Sequence, residues 1–253
     1  SKEKDKLNKN IKIIFQRGEE LAPGGAGELV SRGVMKDVEK IFALHVMPGR
    51  KAGSISIKAG VASANKNTFD IFVKGKGGHS SAPQNCIDPI LIASSIVVNM
   101  QTIIARSIDP FSSGVISLAS FKSGSEYGVI PESAHLTGAI RSFDENVREV
   151  LKQKLTLVAT NTAKALGGKA EVKYTDWDYS AIYNDEEICQ RLYGLVEEKF
   201  GKDVLIKDER LAVGFVILTH ILGLFQSHHT GDRTGIGEIA VGFILSRTLN
   251  KNH

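Results

Sequence analysis

The sequence predicts an α/β domain interrupted by a compact α+β insert, and three observations carry that prediction. The chain opens on strand, helix and strand patterns joined by short connections. Its middle runs in the order β-α-β-β-α-β, the ferredoxin-like split βαβ arrangement. A helical pattern then resumes after a short linker.

The opening strand is the apolar run Ile11 to Phe15, followed by a glycine-rich turn, Pro23 to Gly27, and a helix opening near Glu28 to Arg32. Ile41 to Val46 reads as a second buried strand closed by Pro48-Gly49, and Gly53 to Ala59 alternates as a half-exposed strand does. In the middle, Thr68 to Lys74 alternates cleanly. Ile87 to Ala105 has helical spacing, with Asp88 as cap and Pro89 in the first turn. Gly114 to Phe121 and Ala134 to Arg141 are strands, Asn146 to Leu166 is an amphipathic helix stopped by Gly167-Gly168, and Ala170 to Thr175 is the last strand of the set. Asp178 to Tyr183 reads as a linker, Glu186 to Phe200 as a helix, and Ile236 to Leu249 as a final helix. The expected division is 1–64 with 179–253, and 65–178.

Composition bounds the function classes. With 253 residues, 42% hydrophobic and 24% charged, the chain has ordinary globular composition. A net charge of +4 with dispersed Lys and Arg argues against a nucleic-acid partner, and the predicted sheet lacks the aromatic pattern that RNA-binding sheets use for stacking. The apolar stretch Leu211 to Phe225 is broken by Gly214, His220 and Gly223, so no membrane role is expected. Two isolated cysteines, Cys86 and Cys189, read as core side chains in a reducing compartment, which points to the cytoplasm.

Several residues carry chemistry. Glu19 and Glu20 follow the first strand, where adjacent side chains diverge: one could bind a metal while the other handles a proton, or both could belong to an acidic loop. His45, inside an apolar run, is a hydrogen-bonded core residue or a ligand. His228 and His229 lie in a polar turn that suits metal binding or simple exposure. His79 sits in KGKGGHSSAP, which lacks the Walker pattern; its glycines could let backbone approach a ligand or a partner chain. Arg141 ends a strand, where a guanidinium could clamp a carboxylate or form a surface salt bridge.

Five segments in order resemble one family. FQRGEE (Phe15 to Glu20) is similar to FQPAEE and ALHVMPG (Ala43 to Gly49) to GLHVWPG. KGKGGHSSAP is similar to KGKGGHAAMP and VIPESAHLTGAIRSFD (Val129 to Asp144) to VIPDTVELEGTVRTFD. AIYNDEE resembles the segment that re-enters the catalytic domain. The chain is identified as a member of the M-twenty metallopeptidase group of aminoacylases, hippurate hydrolases and auxin-conjugate hydrolases. The resemblance implies a metal-binding catalytic α/β domain, incomplete here, with a ferredoxin-like lid or dimerisation insert. It implies hydrolysis of N-acyl amino acids or small peptides by metal-activated water, with two divalent ions, zinc or manganese. Glu19 would be the general base; Glu20, His45 and one of His228 and His229, preferably His229, would be ligands. His79 would steady the oxyanion, in many relatives from a dimer partner, and Arg141 would hold the substrate carboxylate.

Three departures qualify this. No Cys-Gly-His-Asp motif precedes the first strand, the Gly-Glu-Asp-Phe motif is not recognisable near the C-terminus, and the family's substrate-contacting asparagine is Gly128. A non-catalytic binding or dimerisation relative with a degenerate metal site is the alternative these departures suggest.

Overall fold

Alternating burial along one strand, β5 (Asn67–Lys74), sets the architecture around which much of the chain is organised: Phe69, Ile71 and Val73 are buried while Asp70, Phe72 and Lys74 are not. The computed structural model describes residues 10–18, 24–44, 52–175 and 179–207, together with the backbone of 241–246. The chain divides into two units, Ser1–Ala64 with Tyr179–His253, and Asn65–Asp178. The first opens with β1 (Asn10–Ile14), α1 (Ala26–Ser31), β2 (Val38–Leu44), β3 (Ile55–Ile57) and β4 (Gly60–Val61). The second holds β5, β6 (Gly78–His79), α2 (Pro89–Ser107), β7 (Gly114–Ser123), β8 (Val129–Ile130), β9 (Ser133–Ser142), α3 (Glu145–Ala165) and β10 (Lys169–Tyr174). The chain then returns to the first unit through β11 (Tyr183–Asn184), α4 (Glu186–Phe200), β12 (Leu205–Lys207) and β13 (Val241–Ser246).

In the second unit four strands pair antiparallel in the order β10-β5-β9-β7. Both helices pack on the face that carries Phe69, Ile71 and Val73, and their inward residues Ile92, Ile96, Met100, Leu151 and Leu155 complete the core. Each such side chain contributes roughly 1.5–3 kcal/mol by leaving water. Helix starts follow from the sequence. Asp88 Oδ1 accepts from the backbone N–H groups of Ile90 and Leu91 at 2.8 and 3.4 Å, and Asp144 Oδ1 from those of Asn146 and Val147 at 2.7 and 3.1 Å. Gly167, at φ +81°, turns the chain out of α3. By length and composition α2 is apolar enough to cross a membrane, but its inward face is buried in this core.

In the first unit β1 and β2 flank β13, which is antiparallel to both, so β1 and β2 run parallel to each other. The expected helix Ile236 to Leu249 is therefore corrected within 241–246 to a strand, its other residues lying outside those described. The run VGFIL is continuously apolar, and such short runs suit a central strand as well as a buried helix. The first strand was expected to be buried, yet Ile11 and Ile13 are 42% and 51% exposed. Among the described residues, Val38 and Ile41 form a small apolar cluster with Ile14 and Met35 packed against them, Phe42 packs on the Ile57 cluster instead, and Ile11 and Ile13 belong to neither.

The stretch expected to be a linker is built into the first unit. Tyr183 and Asn184 pair with Val61 and Gly60, Ala62 N–H donates to Ile182 C=O at 2.8 Å, and Tyr179 is buried. Asn184 Nδ2 donates to Lys58 C=O at 2.8 Å, which anchors the start of α4. Below it Ile57, Cys189, Tyr193 and Val196 form a second core. Burial pushes the Cys189 thiol above its ordinary pKa, in keeping with the core reading, whereas Cys86 is only partly buried.

Candidate active site

The pairing of β13 with both neighbours places two strand ends side by side. Ile14, the last residue of β1, faces Gly242, and Leu44, the last residue of β2, faces Val241. The carboxyl ends of β1 and β2 therefore leave the same edge of the sheet, about 10 Å apart across one intervening strand. His45 is the next residue after Leu44, and Glu19 and Glu20 follow β1 within a few residues. Glu19, Glu20, His45, His228 and His229 themselves lie outside the described residues. Among the described residues no three His, Cys, Asp or Glu side chains gather as a metal site.

The described approach to Glu19 is held by charge. Arg17 Nη2 donates to Glu28 Oε2 at 2.7 Å, and Arg32 pairs with the other oxygen at 2.8 Å. The hydrogen bond and charge of Arg17, then the charge of Arg32, hold the Glu28 carboxyl below its ordinary value of 4.5. Nothing in the sequence pattern marked Arg17, because its partner lies across a turn.

In the second unit the structure brings His79 and Gly128 together. Beyond the Lys74–Ser133 pair, Gly75 N–H donates to Glu132 C=O at 2.9 Å, and the ribbon continues to Gly78 opposite Ile130 and His79 opposite Val129. Ser80 N–H donates to Gly128 C=O at 3.0 Å. The glycines serve this packing. A Cβ on Gly75 would lie 2.1 Å from Ile87 O, and one on Gly77 would lie 2.8 Å from Ile130 O. The backbone they admit so closely is the chain's own. His79 is exposed, and its Nδ1 meets Ser81, at 2.8 Å from Oγ and 3.2 Å from the backbone N. Ser81 is visible in KGKGGHSSAP, but its contact with His79 depends on the turn.

Arg141 is not near this pair. It lies eight residues beyond Ser133 in β9, opposite Val115, while the His79 ribbon extends past the Ser133 end. At about 3.3 Å per residue the two sites stand roughly 25 Å apart or more within one chain. Another histidine, His135, faces Phe72 across the sheet, stacks on it at 4.6 Å and bonds Asp70 Oδ1 at 2.6 Å; it was not singled out in the sequence because its partners come from a distant strand.

Residues 1–230 match Peptidase family M20/M25/M40. The chain belongs to that family. Its relatives within it include N-acetylcysteine deacetylase of Bacillus subtilis, 31% identical over 88% of this chain and 61% of the relative. Thermostable carboxypeptidase 1 of Saccharolobus solfataricus is 36% identical over 76% of this chain and 49% of the relative. A crystal structure from Bacillus subtilis, described as a dinuclear metal-binding peptidase of the M20 family, superposes with TM-score 0.61 at 27% identity. It covers 79% of this chain and 49% of that one. The family fold is α/β with mixed sheets and helices, as found here. This family member spans about half to three fifths of the length of the curated relatives it matches.

Proposed function

We propose that the whole protein hydrolyses the amide bond of N-acyl amino acids or small peptides, in the manner of an aminoacylase or carboxypeptidase. The observation that carries this reading is the shared edge at which β1 and β2 end. The two strands, which the sequence continues into the carboxylates and the imidazole, end where α/β folds place their ligand sites. Glu20, His45 and His229, or His228 in its place, would hold two divalent ions, zinc or manganese. The ions supply Lewis acidity and an activated water when bound. Glu19 takes the proton of the attacking water and passes it to the leaving amine. Arg141 clamps the substrate carboxylate, and His79 donates to the oxyanion.

The unit Asn65–Asp178 is read as the ferredoxin-like lid and dimerisation insert of a catalytic domain formed by the other unit. A homodimer through this insert is supported by the separation of Arg141 from His79, since one small substrate cannot meet both from a single chain. It is further supported by the edge position of β7 and by Leu91 and Val98 on α2, which are 57% and 68% exposed. Two unpaired thiols, Cys86 and Cys189, suit a reducing cytoplasm.

The deciding experiment is Glu19→Gln. Turnover of N-acetyl and N-benzoyl amino acids should fall by roughly a thousandfold or more with circular dichroism and melting temperature unchanged. About two equivalents of zinc or manganese should accompany the purified wild-type protein. Unchanged turnover in the variant removes Glu19 from the reaction. The second reading, a non-catalytic relative, is favoured by Gly128 where the family pattern has asparagine; it requires metal-free protein without turnover.

A further inference from the structure

Among the described residues, the hydrogen bonds of the His79 ring are made at Nδ1. The residues after His79 form a turn in which Ala82 N–H donates to His79 C=O at 3.0 Å, and Ser80 is fixed by its bond to Gly128 C=O. This turn carries Ser81 back over the imidazole, so that both its backbone N–H and its hydroxyl meet Nδ1, at 3.2 and 2.8 Å. A backbone amide always carries its proton. Nδ1 must therefore receive it with the lone pair, and a proton on Nδ1 would face the Ser81 N–H head-on. The single proton of the neutral ring is thus left to Nε2, the nitrogen with no hydrogen bond to a described residue.

We propose that Ser81 is a positioning residue that fixes the His79 ring in one orientation and one tautomer, presenting Nε2–H as the donor to the oxyanion of the hydrolysed amide. The donor role presupposes the hydrolase reading; the holding of the ring does not. Oxyanion stabilisation depends on a donor already aimed where charge will develop, and His79 is an exposed residue on its ribbon. Ser81 supplies that aim from within the same short turn.

The test uses the full chain labelled with nitrogen-15 histidine at about pH 8. The His79 signals are assigned by their loss in His79→Gln. Wild type should show an unprotonated Nδ1 and a protonated Nε2. Ser81→Ala keeps the backbone N–H, at 3.2 Å the longer of the two contacts, but loses the hydroxyl at 2.8 Å that holds the exposed ring over it; both nitrogens should therefore move toward the averaged pattern of a mobile ring, and Ser81→Thr should restore them. In turnover of an N-acetyl amino acid, Ser81→Ala should lower kcat roughly 3- to 10-fold with KM within about twofold, and Ser81→Thr should recover it. A proton on Nδ1 in wild type, or an unchanged nitrogen pattern in Ser81→Ala, overturns the positioning role. Absence of turnover in the wild type overturns the donor role and the hydrolase reading together, while the nitrogen spectra still decide whether Ser81 holds the ring.

Discussion

Asn65 grips Ser142 through side chain and backbone at once. Its Oδ1 accepts from the Ser142 backbone N–H at 2.9 Å, its Nδ2 donates to Ser142 Oγ at 2.9 Å, and its own N–H donates to Ser142 C=O at 2.7 Å. Both residues are buried, at 0% and 2% exposure, so a polar group left without a partner there would be costly. The grip ties the first residue of the second unit to the last of β9. Asn65→Ala strips the Ser142 N–H of its acceptor and should lower the unfolding free energy by about 2–3 kcal/mol. Urea titration should show the loss as a shifted midpoint at constant slope. A loss under about 0.5 kcal/mol would mean water replaces the side chain without penalty.

Glu28 gives a pH dependence of known sign. Its carboxyl, bonded to Arg17 and Arg32, titrates below 4.5 when folded and near that value when unfolded. Between the two values the unfolded chain binds more protons, so stability rises with pH there. The contribution is present above 4.5 and is lost as pH falls through the folded value. Wild type should exceed Glu28→Gln in urea midpoint near about pH 6, and the gap should close as pH falls below 4.5 through the folded value. Because the ions are exposed, high salt should narrow the gap as well. A gap independent of pH would place its origin elsewhere than in ionisation.

How much of this was legible depends on the range of the interaction. Helix α2 was readable because Asp88 and Pro89 mark its start within a few residues, and β5 because Phe69, Ile71 and Val73 alternate with polar neighbours. Val241–Ser246 misled because a contiguous apolar run has no period to separate helix from strand, and its place between β1 and β2 is a pairing across the chain's whole length. Likewise His79 and Arg141 could both be picked from motifs. Their separation could not, since it follows from the register of β5 on β9. The Ser81 contact is local, yet it needs the turn closed by Ala82 to exist.

On the proposed hydrolase reading, Gly128 tests whether a substrate contact has been lost or merely changed. A Cβ there meets nothing within 4 Å, and the residue is not among the glycines with positive φ. Neither space nor backbone conformation therefore demands glycine. Gly128→Asn should alter unfolding free energy by no more than about 0.5 kcal/mol. Restoring an amide donor beside His79 should raise kcat/KM on N-acetyl amino acids roughly 3- to 10-fold. A decrease at unchanged stability would show that the active geometry has adapted to the glycine.

The separation of His79 from Arg141 predicts complementation between two dead variants. If a substrate takes its carboxylate clamp from one copy and its oxyanion donor from the other, His79→Ala and Arg141→Ala should each be strongly impaired alone. In a mixed dimer, the Arg141 of the first variant and the His79 of the second meet at one site, while the other site lacks both. Random pairing of equal amounts makes half the dimers mixed, so activity should return to about a quarter of wild type. Mixing requires subunit exchange, and tagged copies purified in tandem after co-expression remove that dependence by isolating mixed dimers, for which about half of wild-type activity is expected. Should the isolated mixed dimers stay as inactive as either parent, the two residues serve the same copy. A rearrangement within Asn65–Asp178 would then have to bring together what β9 holds apart.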